Sequence, residues 1–576
     1  MTKEVMMNKI SVLALALLSV SFVFSQEDVQ LTTKGQRPIE KAYRISDRPV
    51  KKDSIIPAPT IEYPLLSLKH ETSFTLDQIN PARVNINPKL DQLYRGYAKV
   101  GIGSDLITLG ELYYNSLRSR KHVWGVEARH FSSFNDMSNY APSQYDRTKA
   151  AVFGQINEKK YSLYGQINYN NIGLHHYGFQ NPNANRDSIA NRFQQIGFNS
   201  VYESHKKDSA ELNYVLGVSY YNFFDKKHAD SISKWRAREN NFTITSDWKY
   251  KLNNEVFNAA FNVKYNNYQY GEQNKVIALD TPLDTGIVSS NLIFQLKPTV
   301  TTYSKDKKLR ATAGFDVTID SHYKTKAHFY PVLEAKYSML NDLFIPYAGL
   351  NGQLKQNTYS SLSNQNEFIL SNIRLDNESQ ALNAYFGIKG TLSKRIGFNV
   401  SASFSSNRNK ALFVNDTTYS AQTQFAVIYD TINITKLEAS LSYQHNEKLK
   451  VDAIGRFNSY QARNNPYAWN LPQLEIILRG EYNLFDKFLL NLTVGAEAGR
   501  RALVYDETIE DVKVEDGVYS VALGTIVDAN LGFEYRYNKR FSAYVNFNNF
   551  AAQRYNRWYN YPVQGFQVLG GFTFRF

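Results

Sequence analysis

After Phe24 the chain has no apolar run approaching the ~20 residues that a membrane-spanning helix needs, so helical spans are excluded for the rest of the sequence. It has no cysteine, which excludes a disulfide scaffold and leaves no thiol for lipidation of an exported N-terminus. Beyond residue 95 it has no Gly-, Pro- or Ser-rich linker, so most of its 576 residues belong to one uninterrupted body. No motif with catalytic spacing occurs. Adjacent residues on an extended chain point to opposite sides, so the pair His175-His176 does not predict a metal site, and no cofactor is expected. A basic patch interleaved with aromatic platforms, as nucleic-acid binding requires, is also absent, so no nucleic-acid partner is expected.

What the chain has in quantity is aromatic side chains, 41 Tyr and 35 Phe, set in segments with a period of two. From Leu449 the odd positions read Leu449, Val451, Ala453, Gly455, Phe457, and the residues between them are Lys450, Asp452, Ile454, Arg456, Asn458. The same split recurs from Phe257 to Tyr265, from Ile396 to Phe404 and from Phe488 to Ala496. It recurs again in the last segment, where Phe566, Val568, Gly570, Phe572, Phe574 and Phe576 share one face. An apolar face backed by a wet one predicts strands whose greasy side meets lipid.

The connections alternate as well. Short polar reversals fall near Glu158–Lys160, Asn253–Glu255, Asn341–Asp342, Lys394–Arg395, Asn446–Lys448 and Phe485–Lys487. Between them lie longer connections at 135–145, 175–192, 271–286, 359–378, 409–429 and 502–520. Short turns on one side and long loops on the other define the fold class: all-β, a transmembrane antiparallel β-barrel of about 22 strands with short periplasmic turns and long extracellular loops. The first strand is placed near Gly96–Gly103, and the stretch 421–446 has room for an extra short strand.

Three parts are expected. Lys3 and Lys9 flank an apolar run, Ile10 to Phe24, that ends before Ser25, so residues 1–25 read as a signal peptide cleaved before Gln26. Residues 26–94 hold seven of the 16 prolines and read as an extended periplasmic or lumenal segment, and 95–576 form the barrel. The expected place is the cell outer membrane, with its lipid as a partner.

Asn548-Asn549-Phe550-Ala551-Ala552-Gln553-Arg554-Tyr555, followed by Trp558, Tyr561-Pro562 and the final alternating strand, resembles the closing hairpin of TonB-dependent receptor barrels, especially those of Bacteroidota. The resemblance implies transport or uptake across the outer membrane by a barrel of about 22 strands. Members of that family also carry a plug domain of well over a hundred residues, and the segment 26–94 is too short for a complete one. A lumen of this width must then be filled by the N-terminal segment, by inward-folded loops, by a partner protein or by side chains. The rival reading is a structural or assembly subunit that binds a periplasmic or outer-membrane partner through residues 26–94 and transports nothing. A rim-sited enzyme is a third.

Alternation assigns Glu127, Arg129, Lys264, Arg310, Asp316, Glu334, Lys336, Lys389, Arg479 and Glu481 to the lumen wall, together with Glu211, Lys450, Asp452, Arg456, Glu497, Glu534 and Arg536. Their signs nearly cancel, and a self-paired wall is expected over a selectivity filter. The formal charge of +13 instead gathers at the short turns, for example Lys159-Lys160, Lys305, Lys394-Arg395 and Lys539-Arg540, beside anionic head groups. In the loop Gln553–Pro562 the residues Arg554, Tyr555, Arg557 and Trp558 are candidate contacts for a sugar or protein; the simpler account is an aromatic girdle at the outer interface. The tripeptides Asp187-Ser188-Ile189, Asp230-Ser231-Ile232, Asp416-Thr417-Thr418 and Asp430-Thr431-Ile432 look like acceptors for O-glycosylation, and equally like turns.

Overall fold

The computed structural model describes residues 93–576, apart from 118, 207–211, 227–236, 271–287, 417–422, 505–511 and 516–517. The expected signal peptide, nearly all of the segment 26–94, Glu211 and the tripeptide at 230–232 lie outside the described residues. Among the described residues, 22 strands join in one antiparallel sheet. The first strand, Gly96–Gly103, pairs with the second, Ile107–Asn115, and also with the last, Gln567–Arg575, so the sheet closes on itself. Closure gives every strand a hydrogen-bonding neighbour on both sides, which is the condition for crossing hydrocarbon with extended chain.

The two faces follow the sequence parity. In the strand Leu449–Ala462, Phe457 is 49% exposed and its neighbour Asn458 only 6%. The last strand turns Val568, Gly570, Phe572 and Phe574 to the same outer face, with Phe572 at 53%. Large apolar side chains that remain exposed all round a closed sheet form the lipid-facing band.

The short turns lie together at one end and use left-handed backbone. Phe485 and Asp486 have φ of 56° and 58°, and Asn253 and Asn446 have 53° and 55°, the conformations that match the twist of a tight hairpin. On the outer face just above these turns, Tyr161, Tyr202, Tyr214 and Trp248 stack in succession with ring centroids 5.4, 5.8 and 5.0 Å apart. Amphipathic rings beside the Lys/Arg-rich turns mark the periplasmic interface.

The opposite end departs from the expected loop limits. The connection read as 409–429 is mostly strand: Ile396–Asn415 and Phe425–His445, 20 and 21 residues long, run past the lipid band and leave only 416–424. Among the described residues of 421–446 the only strand is Phe425–His445. Among the described residues the strands outside the barrel sheet fall instead in the connection near 502–520, as a small sheet of Arg500–Val504, Val512–Glu515 and Val518–Leu523, and in the last loop, as the pair Asn556–Trp558 and Tyr561–Pro562. Strands that leave lipid are no longer bound to apolar/polar alternation, and so their ends are hard to read from sequence.

The seam between first and last strands depends on absent side chains. The Tyr544 hydroxyl, from the strand Phe541–Asn548, reaches across the last strand and donates to the Val100 carbonyl at 3.2 Å. A Cβ on Gly571 would lie 2.0 Å from the Val100 oxygen, and one on Gly101 would lie 2.2 Å from the Tyr544 hydroxyl. Gly570, on the lipid side of the same strand, has ordinary room, its nearest contact being 3.8 Å.

Two outcomes follow from these geometries. Gly571→Ala should lower unfolding stability by about 1–3 kcal/mol more than Gly570→Ala in urea titrations of the vesicle-embedded barrel. Equal losses would show that the Tyr544 crossing does not tighten the seam. Val400→Lys, on the lipid face and 53% exposed, should cost about 2–4 kcal/mol near the midplane. Ser401→Lys should be nearly neutral, because Ser401 faces inward opposite Glu438.

Candidate functional site

Among the described residues, the charged side chains assigned to the lumen by alternation lie on the strand face opposite the exposed apolar side chains. Glu127 and Arg129 belong to His122–Ser133, where the Arg129 Nε stands 3.1 Å from Glu111 Oε1. Lys264 lies between Thr243 and Ile293 of the flanking strands. Asp316 is buried and accepts from Gln295 Nε2 at 2.6 Å and Thr318 Oγ1 at 2.7 Å. Arg310 sits opposite Lys336, with its guanidinium 5.9 Å from the Tyr303 ring centre, while Glu334 faces Thr312. The Lys389 ammonium stands 6.0 Å from the Tyr347 ring centre.

Arg479 and Glu481 come together with Lys450 and Asp452 in a checkerboard, Asp452 opposite Arg479 and Lys450 opposite Glu481, with Lys450 and Asp452 themselves 3.1 Å apart. One strand further back, Glu438 Oε2 meets Lys436 Nζ at 2.6 Å and Arg456 Nε at 3.0 Å, and Arg456 Nη1 reaches Glu475 at 3.3 Å. The described candidates are thus spread round the wall, some in ion pairs and others beside rings or like charges, with no convergence on one point.

Convergence occurs at the extracellular mouth. Between the strands Ile345–Lys355 and Glu378–Ser393 the chain folds inward as a strap, residues 356–377, with the short helix Tyr359–Ser363 at its start. Thr358 caps that helix, accepting from the Ser361 N–H at 3.1 Å while its own N–H donates to Ser361 Oγ at 3.0 Å. The first helical N–H groups, of Tyr359 and Ser360, donate to the carboxylate of Glu239 at 2.7 and 2.9 Å. Asn266 Nδ2 at 2.9 Å and the Tyr221 hydroxyl at 3.2 Å complete its shell. A second carboxylate, Asp225, accepts from the Tyr359 hydroxyl at 2.8 Å and Ser371 Oγ at 2.7 Å. Burial, and then the adjacent Asp225 charge, push the Tyr359 hydroxyl well up, so it stays a donor. Both carboxylates are 0% exposed, a position tolerable for a charged group only when its lone pairs are filled.

Further along, the Tyr268 hydroxyl donates to the Ser371 carbonyl and Asn377 Nδ2 donates to Asp320 at 2.9 Å. Burial pushes the Glu367 carboxyl up, against the Arg147 guanidinium 2.7 Å away. Around these bonds lies an apolar cluster that includes Leu174, Phe193, Phe223 and Tyr268 from the wall, Tyr359, Leu362 and Ile369 from the strap, Phe413 and Phe425 from the long hairpin, and Tyr561 from the last loop. Phe368 and Tyr561 stack at 3.7 Å. Residues from such separate arcs of a closed barrel meet only across its interior, so the strap covers the mouth.

The last loop therefore does something other than expected. Trp558 packs at 5.4 Å from both Phe413 and Phe425, and Tyr561, 1% exposed, donates its hydroxyl to the Thr423 carbonyl. These rings face inward and do not form an outer girdle, because their apolar partners are the strap and the long hairpin. Arg554 and Arg557 stay exposed, Arg557 bonding both Glu497 oxygens at 2.8 Å. Tyr555 donates to Asp528 at 3.1 Å, its hydroxyl pushed up to about 12 by burial and that carboxylate.

A second inward loop, 463–473, is pinned by Asp430, whose carboxylate accepts from the backbone N–H groups of Asn464 and Asn465 and from both their side-chain amides at 2.9 to 3.1 Å. Its Trp469 is buried against Leu412, Val414 and Ile432. Asp430 and Ile432 are 2% and 0% exposed, so both flanks of the tripeptide at 430–432 are core, with Thr431 between them half-buried. Ser188 is in contrast exposed. His175 Nδ1 lies 2.7 Å from the Gln144 carbonyl, and His176 packs at 6.2 Å against the Phe368 ring.

No protein-family model and no curated protein sequence matches the chain. Solved structures do. The siderophore receptor PirA from Acinetobacter baumannii superposes with a TM-score of 0.63 at 11% identity, covering 85% of this chain and 81% of that one. The pyoverdine outer membrane receptor FpvA from Pseudomonas aeruginosa PAO1 gives 0.59 at 14% identity, covering 85% and 79%. The copper transporter OprC gives 0.60 at 12%, covering 84% and 81%. The chain has the barrel fold of TonB-dependent outer-membrane receptors. A barrel of this fold with a lipid-facing apolar band resides in the outer membrane. Nearly all of the segment 26–94, read from sequence as too short for a complete plug, lies outside the described residues.

Asp225, Glu239 and Asp320 were not among the residues singled out from sequence, and Asp430 was named there only within a tripeptide. A signal existed in Tyr220-Tyr221 and Phe223-Phe224, where aromatic residues occupy both faces of one strand and break the alternation. Asp430→Ala would strip the exposed Asn464 and the half-buried Asn465 of the acceptor for their N–H groups, a local loss of about 1–3 kcal/mol. Trypsin should then cleave after Arg463 at least about tenfold faster than in the parent barrel; unchanged cleavage would mean that Trp469 alone holds the loop.

Proposed function

We propose that the chain is an outer-membrane uptake barrel that works in the manner of TonB-dependent receptors and has no catalytic role. The observation that carries this reading is a continuous polar, charge-balanced wall lying beneath a mouth covered by the chain's own loops. A scaffold has no use for a wet interior, and an interior lined by Lys, Glu, Arg and Asn is costly unless water or solute enters it. Neighbours of the same fold are described as receptors or transporters for pyoverdine, siderophores and copper, which supports a solute taken up from outside. Locally paired charges give the path no strong ionic preference, which fits a bulky polar solute better than a selected ion. The lumen residues from Glu127 to Glu481 would form its walls, and exposed Arg554 and Arg557 would meet a solute or protein at the rim. Residues 26–94 would act from the periplasmic side, where Arg540 lies 5.8 Å from the Tyr94 ring centre.

Planar-bilayer recordings test the reading. A barrel lacking residues 26–94, and with 359–376 replaced by a short Gly-Ser linker, should carry steady currents at least about tenfold larger than the intact chain. If that protein is folded, as judged by heat-modifiable gel migration, and still silent, the lumen is filled by something permanent and the assembly-subunit reading replaces this one.

A further inference from the structure

We infer that the strap 356–377 is an autoinhibitory element that leaves the mouth as a unit, and that Asp225 and Glu239 form the latch that holds it shut. The inference rests on the uptake reading above and names the part that moves.

Three observations carry it. First, the strap is joined to the wall by side chains and not by a strand ladder. The wall strands pair up to Lys355 and Glu378, so the strap can depart without breaking a barrel hydrogen bond. Within it the described backbone pairing outside the helix is a single bridge, Ile369 to Phe425 of the long hairpin. Second, the descending root of the strap carries a bulge: near Gln380–Leu382 that strand has one residue more than either neighbour, so the register breaks on both sides of it. A bulge at the base of a loop is where the chain bends without losing its pairing. Third, the docking contacts are concentrated. Glu239 holds the N-terminus of the strap helix through the Tyr359 and Ser360 N–H groups, and Asp225 holds Tyr359 and Ser371, twelve residues apart on the strap.

The two carboxylates are therefore coupled through Tyr359, which gives its N–H to one and its hydroxyl to the other. If the strap lifts, both acids regain water at once, while the strap's N–H and hydroxyl groups also become solvated. The polar contribution to docking is thus modest, and the apolar cluster supplies the rest. Such a balance allows a closed resting state that opens as one body.

The chain's lack of cysteine makes a clean test possible, because engineered thiols would be the only ones present. In potassium chloride bilayers the Asp225→Asn/Glu239→Gln variant of the barrel lacking 26–94 should raise the open fraction at least about tenfold over the parent. Adding Gln195→Cys and Ser360→Cys, whose parent side chains touch at 3.1 Å, and bridging them with a short bis-methanethiosulfonate should abolish those currents. Reductant should restore them. Tyr268→Phe, which removes the bonds of that hydroxyl to the Ser371 carbonyl and the Ile373 N–H but leaves both carboxylates in place, should open the mouth less than the double acid variant and guards against misfolding of the latter. If the strap-deleted barrel conducts while the latch variant stays closed, or if the bridge leaves the currents unchanged, the strap is not the gate. If the strap-deleted barrel itself is silent, the uptake reading fails instead.

Discussion

Every other feature of this protein depends on the closed ladder of backbone hydrogen bonds. An extended chain in hydrocarbon cannot leave N–H and C=O groups open, so the sheet must return to its first strand. That return is made where the first and last strands are short and glycine is frequent, and where Tyr544 spans the last strand to reach the Val100 carbonyl. Once the sheet is closed, parity follows: each strand offers one face to lipid and the other to the interior. The polar wall is thus a consequence of closure, since no position on the inner face needs to be apolar.

Wall and cap are stabilised by different means. In the wall, charges cancel locally, as in the Lys436, Glu438, Arg456 and Glu475 chain, and these half-exposed pairs contribute little beyond preventing repulsion. In the cap, carboxylates are fully buried and filled by donors from another segment, as Glu239 is by the strap helix and Asp430 by the loop 463–473. A buried acid stabilises its partner segment strongly only in one position, because displacement by an ångström leaves it neither bonded nor hydrated. Acids in the wall tolerate change; acids in the cap specify a conformation.

Sequence periodicity made the membrane part legible. The inward set from Glu127 to Glu481, the short turns at Asn253 and Phe485 and the outward row ending at Phe574 all follow from period-two alternation and turn chemistry. The cap was not legible for a physical reason. Above the lipid no rule couples one face to apolarity, so Ile396–Asn415 and Phe425–His445 continue as strands through residues that look like loop. The contacts that matter there join residues more than a hundred positions apart, such as Glu239 with Tyr359 and Tyr561 with Thr423. The rings at Trp558 and Tyr561 show the same limit: composition places aromatic residues at an interface, but only the fold decides which side of the wall they face.

The same contrast orders how the molecule yields to force or heat. Backbone ladders in lipid exchange for nothing when broken, whereas the cap's hydrogen bonds exchange for bonds to water, so the cap opens at far lower cost than the wall. The described wall beneath it is polar. On the uptake reading proposed above, the state of the barrel is set by a few side-chain contacts at one end. The separation of the two energies is what lets a rigid wall carry a movable lid: Tyr359, bonded to both Asp225 and Glu239, lies on the cheap side of that division, and every strand of the closed sheet lies on the costly one.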